Sequence, residues 1–365
     1  MRISCSRDAL VEALGVTARG VSARSSVQIL SGIALFAREG MVELAATDME
    51  LSLRTSVAAD VDGAGSSVAP GRLLLDVVRL LPDARVELAY RSEENILVVT
   101  SGSAEYRLRT YAAEDFPRLP DTAAIDSWEV PCEPLLETVA RVGRAASRDE
   151  SRPVLTGILV RFEGGKLVMA ATDSYRLAVK ETSLDGDLPA LEAIIPARAL
   201  EELRRVAAGS ETVSIGVHEN QVVFGAGDVW LTTRRIDGQF PNYRQLLPET
   251  FEHEIVLPRD EVLDVVRRTS VMAQRNSPLR LRFADGELTV SAQTQDVGES
   301  RESLPVPFSG EPLEIGFNPD FLRDGIESLV DDEIVLKLIN PLRPGLLSTA
   351  ADDFWYLIMP IRLAG

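Results

Sequence analysis

The tetrapeptide Ala45-Ala46-Thr47-Asp48 returns 125 positions later as Ala170-Ala171-Thr172-Asp173. The same spacing relates the preceding segments, since Leu30-Ser31-Gly32-Ile33 corresponds to Leu155-Thr156-Gly157-Ile158. Self-similarity at a fixed separation is the signature of a repeated structural unit. The chain therefore contains at least two copies of one domain-length element.

A fainter third copy follows a further 121 positions along the chain. Its apolar and glycine positions keep the phase of the second copy, pairing Val160 with Leu281, Phe162 with Phe283, Gly165 with Gly286, Leu167 with Leu288 and Met169 with Val290. Three copies of about 122 residues account for the length of 365 residues, and a period this long gives each copy its own core. We therefore predict three domains, over residues 1–123, 124–250 and 251–365.

Each copy shows the same order of predicted elements. An apolar stretch with helical period comes first, over Arg7–Val16, Pro134–Ala146 and Arg259–Val271. Alternating, strand-like segments follow and meet at glycine-containing turns such as Glu163–Gly165. A second helix is opened by a proline, which lacks an N–H that the first turn does not need, at Pro70, Pro196 and Pro319. Two helices grouped with antiparallel sheets in each domain predict the α+β class.

The composition limits the kinds of function. The 38 Lys and Arg residues face 56 Asp and Glu residues, and a formal net charge of −18 argues against a DNA partner if it is spread evenly. Two cysteines and two histidines leave little for a disulfide framework, a metal site or histidine-based catalysis. No run approaches the roughly 18 apolar residues of a membrane span. We expect a cytoplasmic protein with no cofactor, no metal and no membrane contact.

Arginine nevertheless recurs on the predicted helices. Arg72 and Arg79 lie seven residues apart, on one helix face, and return in the second copy as Arg198 and Arg205. On a wheel of about 100° per residue, the first helix of the second copy has an apolar side and, opposite to it, Arg141, Arg144 and Arg148. One arginine could simply solvate an exposed face, but repetition at a domain-length offset favours a shared basic surface.

The third copy breaks this pattern, because Phe321 stands where arginine is expected and Asp264 interrupts its first helix. The basic surface is therefore uneven. If the helices line a closed ring, six from one chain leave a hole of roughly 9 Å and twelve from two chains roughly 28 Å. A duplex, whose major groove alone is about 12 Å wide, needs the larger hole. We expect a dimer that holds duplex DNA weakly and without sequence preference.

Five segments, in order along the chain, resemble a known family. They are Thr47–Glu50, Ala171–Ala178, Asp237–Arg244, Asn340–Pro344 and Tyr356–Leu363. On a threefold repeat they are similar, end to end, to the bacterial DNA polymerase III beta subunit, the sliding clamp. The resemblance implies a head-to-tail homodimeric ring, with inner helices and outer sheets, that encircles double-stranded DNA without catalysis. It also implies tethering of the replicative DNA polymerase and contact with the clamp loader, both through short clamp-binding peptides.

The resemblance further implies a hydrophobic peptide-binding cleft between the second and third domains. One side of the cleft would comprise Leu155, Thr172, Ser174, Tyr175, Arg176, Leu177, Pro241 and Leu246. The other side would comprise Pro344, Leu357, Met359, Pro360, Ile361 and Arg362. Branched aliphatic side chains, a flexible methionine and prolines suit an adaptable groove for several peptides. Alternation along the last strand also predicts that Leu357 or Ile358 is a core residue.

Two positions depart from the family pattern. Tyr175 stands where the family usually has histidine, and Ser174 where it commonly has glycine. We expect the rim of the cleft to be more crowded and its peptide preference to be altered. These residues also leave open a diverged paralogue with an accessory or inhibitor-tolerant role.

The resemblance implies two further sets of residues. The interface between the two chains would involve, from domain 1, Tyr106 and Leu108 and, from a helix of domain 3, Val271 and Met272. Two loop residues, Arg24 and Arg152, would lie near the DNA with the helix arginines.

An enzyme is the alternative of another class. It would use the repeated carboxylates of Asp48 and Asp173 as an acid and base pair or a metal pair. Each carboxylate follows an apolar strand and a threonine, which favours capping of the next turn through Asx-type hydrogen bonds. The segments Gly63-Ala64-Gly65 and Gly225-Ala226-Gly227 lack the strand-to-helix context and the lysine of a phosphate-binding loop.

Overall fold

The computed structural model describes residues 1–22, 27–122, 125–184, 186, 188–273, 277–294 and 298–363. Within them lie seven α-helices. The first helix of each copy is α1 (Arg7–Thr17), α3 (Cys132–Gly143) or α6 (Arg259–Ser270), and the second is α2 (Gly71–Arg79), α5 (Ala197–Val206) or α7 (Pro319–Glu327). A single turn, α4, covers Pro153–Thr156. The two helices predicted in each copy are confirmed.

The strands of the first copy are β1 (Arg2–Ser6), β2 (Gly32–Arg38), β3 (Met41–Thr47), β4 (Leu51–Val61), β5 (Gly65–Pro70), β6 (Arg85–Arg91), β7 (Ile96–Ser101) and β8 (Ala104–Arg109). Those of the second are β9 (Ser127–Pro131), β10 (Gly157–Glu163), β11 (Lys166–Thr172), β12 (Arg176–Ser183), β13 (Leu191–Pro196), β14 (Thr212–His218), β15 (Gln221–Ala226) and β16 (Val229–Arg234). Those of the third are β17 (His253–Pro258), β18 (Leu279–Ala284), β19 (Glu287–Thr294), β20 (Gly298–Pro305), β21 (Leu313–Phe317), β22 (Glu333–Leu338), β23 (Gly345–Ser348) and β24 (Phe354–Ile358). Every pairing between them is antiparallel, as the α+β prediction requires.

The chain divides into two compact units. The first contains Met1–Glu133 and Glu202–Arg235, and the second contains Pro134–Glu201 and Ile236–Gly365. The units do not follow the sequence repeat, because strands of neighbouring copies pair with each other. The predicted boundaries of the three domains therefore stay a prediction.

In the first unit, one sheet runs in the order β8-β7-β6-β1-β4-β16-β15-β14-β9, and β2, β3 and β5 branch from it through β4. The helices α1 and α2 pack together over this sheet. Their apolar faces, including Leu10, Leu14, Leu74 and Val78, are fully buried in one cluster with the strand residues. Cys5 belongs to the same cluster, and burial raises the pKa of its thiol to about 11, so it is an unreactive core residue.

In the second unit, one sheet runs in the order β13-β10-β11-β12-β24-β23-β22-β17, and a four-stranded sheet runs β20-β19-β18-β21. The helix α6 packs against α7 and against the four-stranded sheet. A core cluster joins β12 to β24 through Leu177 and Leu357, with Leu346 and Tyr243 beside them. Leu357 and Ile358 are both buried, so alternation did not separate a core residue from a surface residue there.

The strands that join neighbouring copies are equivalent ones. β4 of the first copy pairs with β16, the last strand of the second copy. β12, the counterpart of β4, pairs with β24, the last strand of the third copy. The remaining counterparts are β20 and β8, and each stands at the end of its sheet within the described residues.

Candidate functional site

The repeated Thr-Asp pair forms a tight turn. The Thr172 hydroxyl donates to the Arg176 carbonyl at 2.6 Å, and Oδ1 of Asp173 accepts from the backbone N–H groups of Tyr175 and Arg176 at 2.9 and 3.1 Å. The middle residue, Ser174, has a φ of 81°. This is the left-handed region, which costs an L-residue roughly 1–2 kcal/mol and which glycine adopts without that cost.

The first copy builds the same turn. Oδ1 of Asp48 accepts from the backbone N–H groups of Glu50 and Leu51, and Met49 has a φ of 80°. The predicted Asx-type role of Asp48 and Asp173 is confirmed. In each copy the carboxylate holds the turn that starts the strand used for pairing with the next copy, β4 or β12.

A cavity of about 420 Å³ opens beside the second of these turns. Nine predicted cleft residues line it, and these are Thr172, Ser174, Tyr175, Arg176, Leu177, Leu246, Pro344, Leu357 and Met359. The backbone N–H of Met359 donates to the Tyr175 carbonyl at 2.8 Å, which fixes the two walls to each other. The floor is apolar, whereas Tyr175, Leu246 and Met359 are exposed at the rim.

Five predicted cleft residues lie outside this lining. Leu155, Pro241 and Pro360 do not contact the cavity, and Ile361 and Arg362 line a second cavity of about 360 Å³. The chain turns away after Met359, because the backbone N–H of Ile361 donates to the Gly316 carbonyl at 2.8 Å. The assignment of these five residues to a peptide-binding cleft stays a prediction.

Five lining residues were not predicted from the sequence. They are Gln245, Leu247, Pro248, Leu342 and Arg343. A signal for Leu342 was present, because Asn340 begins the Asn340–Pro344 motif and its Oδ1 accepts from the Leu342 backbone N–H at 3.0 Å. That Asx turn leaves the Leu342 side chain exposed at the rim.

Arg176 is held on three sides at the wall of the cavity. Its Nε donates to Asp173 Oδ2 at 2.9 Å, and its Nη1 donates to Asp324 Oδ2 at 2.6 Å and to the Tyr356 hydroxyl at 3.0 Å. The guanidinium lies 4.4 Å from the centre of the Phe321 ring. Burial lowers the pKa of Arg176, but Tyr356 and the two carboxylates outweigh this effect and raise it. The group is a fixed cation.

The predicted DNA-facing arginines differ in their surroundings. Seven are exposed, and these are Arg72, Arg79, Arg144, Arg148, Arg152, Arg198 and Arg205. Acidic side chains hold three of them: Arg205 bonds to Glu202 at 2.6 Å, Arg152 to Asp149 at 2.8 Å and Arg144 to Glu327 at 2.6 Å. Arg24 lies outside the described residues.

The placement of Arg141 on an exposed basic face is wrong. Its side chain is only 9% exposed, pairs with Glu137 at 2.5 Å and lies 5.8 Å from the centre of the Phe354 ring. The helical wheel could not foresee this because Phe354 comes from a distant strand. The helix also ends at Gly143, so Arg144 and Arg148 follow it rather than lie on it.

The strand register corrects the alignment of the third copy. The equivalent turn glycines are Gly40, Gly165 and Gly286, and the residues seven positions before them are Ile33, Ile158 and Leu279. On the neighbouring strand, these residues pair with Ala69, Ile195 and Phe317, respectively. The residue after each strand partner is Pro70, Pro196 and Asn318. Asn318, not Pro319, is therefore the counterpart of the two prolines. It caps α7 with its side chain, which accepts from the Asp320 and Phe321 N–H groups.

This shift changes which residues replace the arginines of the third copy. Asp320, rather than Phe321, corresponds to Arg72 and Arg198. Glu327 corresponds to Arg79 and Arg205. The third copy thus carries carboxylates at both positions, and Phe321 instead packs against Arg176.

The predicted interface residues lie at two places. Tyr106 and Leu108 are on β8, where Tyr106 is 41% exposed and Leu108 is buried in the core of its own unit. Val271 is 79% exposed and Met272 half-buried, and both follow α6, which ends at Ser270 rather than at Val271 as predicted.

The described residues contain neither a metal-ligand cluster nor a helix suited to crossing a membrane. No cluster of three or more His, Cys, Asp and Glu side chains there could hold a metal ion. None of the helices in that part of the chain has the length and apolar character needed to cross a membrane.

Comparison with known proteins identifies the family. The N-terminal, central and C-terminal domains of the DNA polymerase III beta subunit match residues 1–120, 129–242 and 244–362. Relatives named beta sliding clamp in Streptomyces coelicolor and Synechococcus elongatus are each 33% identical to the chain, with full coverage of both sequences. The solved sliding clamp of Bacillus subtilis gives a TM-score of 0.94 at 28% identity, and the DNA polymerase III subunit beta of Pseudomonas aeruginosa gives 0.92 at 27%, again with full coverage.

The fold of three repeated α+β domains is that of a sliding clamp. The chain belongs to the DNA polymerase III beta subunit family, and its function is that of a DNA sliding clamp in replication.

The strained turn at the cleft gives a first prediction. Ser174→Gly should raise the free energy of unfolding by about 1 kcal/mol, because glycine adopts the positive φ without strain. The greater conformational entropy of glycine in the unfolded chain offsets only part of this gain. Ser174→Ala is the matched control, since it keeps the strain and loses the hydrogen bond from Arg152 Nη1 to Ser174 Oγ at 3.1 Å. Urea denaturation would measure both, and a glycine variant no more stable than the alanine variant would contradict the account.

Proposed function

We propose that two copies of this chain form a head-to-tail ring that encircles double-stranded DNA and tethers the replicative polymerase to it. The observation that carries the proposal is the repeated strand pairing between neighbouring copies. Within one chain the pairing β4–β16 links copies 1 and 2, and β12–β24 links copies 2 and 3. The same rule pairs β20 of copy 3 with β8 of copy 1 in another chain, and two such junctions close a ring.

The register of this third junction follows from the other two. Leu53, Ala178 and Ser300 are equivalent, because they lie opposite the equivalent alanines of the preceding strands, which are Ala46, Ala171 and Ala292. In the two junctions within the chain, Leu53 pairs with Leu231 and Ala178 pairs with Tyr356. In the first copy, the counterpart of Leu231 and Tyr356 is Tyr106 of β8, because it occupies the equivalent position in the pairing of β6 with β7 and of β7 with β8. Tyr106 should therefore lie opposite Ser300 of the second chain.

This register makes the two edges complementary in charge. It sets Glu105 opposite Arg301 and Arg107 opposite Glu299. It also sets Leu108 opposite Gly298. Gly298 lies beside Met272, since a Cβ atom on Gly298 would be 3.3 Å from Met272 Cε. The predicted interface of Tyr106 and Leu108 with Val271 and Met272 agrees with this arrangement. Val271 is exposed beside it and would be covered by the partner.

A charge-reversal pair tests the register. Glu105→Arg and Arg301→Glu, each alone, should weaken the dimer roughly tenfold, because each of the two junctions loses an opposite-charge pair and gains a like-charge pair, and each such pair is worth roughly 0.2–1 kcal/mol. The double variant should recover most of the affinity, because opposite charges again face each other. Glu94→Arg is the control, since Glu94 is exposed but lies outside β8. Sedimentation velocity over a dilution series measures all four, and additive losses in the double variant would contradict the register.

The exposed arginines support a duplex as the ring's contents. Arg72, Arg79 and Arg148 make no ion pair with any described residue, whereas Arg144, Arg152 and Arg205 are partly neutralised by acidic neighbours. A few available cations facing phosphates would bind weakly and without sequence preference, as sliding requires. The clamp loader would place the ring on DNA.

Topology distinguishes encirclement from ordinary binding. After a cognate clamp loader and ATP are supplied, the protein should stay on nicked circular duplex at a salt concentration that removes it from linear duplex. Cutting the circle should release it, because a ring slides off free ends. Gel filtration of the labelled protein with each DNA form measures retention. Equal loss from the circular and the linear DNA would contradict encirclement.

The cavity beside Tyr175 supports the proposal that partners bind through short peptides. Its floor is apolar and its rim carries flexible, exposed side chains, which suits an extended segment with hydrophobic anchors. The polymerase and the clamp loader would use this cleft. Tyr175 and Ser174 also keep a second candidate open, a diverged clamp with an accessory role.

The remaining expectations belong to the same proposal. The chain would act without catalysis and without a cofactor, since its repeated carboxylates already serve as turn caps. It would work in the cytoplasm and without membrane contact. Its three clamp domains would span residues 1–123, 124–250 and 251–365.

A further inference from the structure

The helix α7 differs from its counterparts in the kind of side chain it presents. Where α2 and α5 carry arginines, α7 carries Asp320 and Glu327, and between them lies Asp324. One oxygen of Asp324 accepts from Arg176 at 2.6 Å. Its other oxygen faces Arg144 at 3.6 Å. Asp324 does not line the cavity itself, and the cavity-lining residue that it bonds to is Arg176.

The hydrogen bonds of Arg176 leave part of its guanidinium available. Nε and Nη1 are taken by Asp173, Asp324 and Tyr356, and Nη2 donates to no residue in the described parts of the chain. The side chain is 10% exposed and belongs to the cavity wall. An arginine fixed at one edge and stacked on an aromatic ring presents its remaining N–H groups in a set direction.

We propose that Asp324 is a positioning residue of the peptide cleft, which holds Arg176 so that its Nη2 group can donate to an acceptor of the bound peptide. The inference rests on the proposed peptide-binding role of the cleft. The acceptor is a backbone carbonyl or a carboxylate, because these are the oxygens that a guanidinium N–H binds in a peptide. Phe321 supports the same orientation by stacking on the guanidinium at 4.4 Å from the ring centre.

The neighbouring charges keep Asp324 in place. Glu327 accepts from Arg144 at 2.6 Å and from Arg267 at 2.8 Å. Burial raises the pKa of Glu327, but Arg267 and Arg144 lower it overall, so it stays ionised beside Asp324. Carboxylates and guanidiniums therefore alternate from Asp173 through Arg176, Asp324 and Arg144 to Glu327. Removing the charge of Asp324 breaks this series at the link to the cleft.

A double-mutant cycle tests the proposal. The probe is a fluorescein-labelled clamp-binding pentapeptide from the cognate replicative polymerase, and its dissociation constant is measured by fluorescence anisotropy. Asp324→Asn should weaken binding about tenfold, because the charged hydrogen bond that orients Arg176 is lost. In an Arg176→Gln background the same substitution should have no further effect. The matched control is Asp320→Asn, a carboxylate of the same helix that pairs with Arg323, and it should change binding less than twofold.

A second variant covers the case in which Asp324→Asn fails to fold. Phe321→Leu keeps every charge and removes the ring that stacks on Arg176, so it should weaken the same peptide severalfold with an unchanged melting temperature. Unchanged binding in Asp324→Asn, or an equal loss in the Arg176→Gln background, would overturn the positioning role. Failure of the wild-type chain to bind the peptide would instead overturn the proposed function of the cleft.

Discussion

Two antiparallel strand pairs, β4 with β16 and β12 with β24, connect each repeated copy of this chain to the next. A strand with free backbone N–H and C=O groups at the edge of a sheet can pair with another strand. Each copy can therefore use one edge strand to pair with the preceding copy and another to pair with the following copy. The cleft is a product of the same junction. Leu177 lies opposite Leu357 in it, and the chain just outside that pair joins Tyr175 to Met359. The cavity and the continuity between copies therefore depend on one set of backbone hydrogen bonds.

Charge is distributed to match this arrangement. A net charge of −18 does not exclude a DNA partner, because arginines are concentrated at equivalent helix positions of the first two copies. The third copy has carboxylates at those positions, and its helix α7 contacts Arg176 at the cavity wall through Asp324 and Phe321. Arg144, Arg152 and Arg205 form ion pairs with acidic side chains, which weakens their electrostatic attraction to phosphates. The proposed ring would need this weak attraction to slide, rather than a strongly basic surface.

The repeat, the fold class and the helix positions were predictable from the sequence, since they depend on local periodicity and on spacing. Interactions between distant segments were not. Arg141 is buried because Phe354 covers it, and no helical wheel contains that information. The third copy was misaligned by one residue because Asn318 replaces a proline as the residue before the helix, which only the strand register shows. The positive φ of Ser174 explains why the family commonly has glycine at this position, and this backbone angle is not visible in the sequence.

A disulfide cross-link tests whether the strand pairing that joins copies within the chain also joins β8 of one chain to β20 of another. Tyr106→Cys combined with Ser300→Cys places two thiols on directly opposite residues, whose α-carbons in an antiparallel pair are about 4.5–5.5 Å apart, within reach of a disulfide. The native cysteines, Cys5 and Cys132, are buried and do not compete. On oxidation we expect a covalent species of two chains in non-reducing gels, and little of it for the shifted pair Tyr106→Cys with Glu302→Cys. No cross-link at the predicted pair, or an equal yield at the shifted pair, would show that β8 and β20 do not pair between chains in this register.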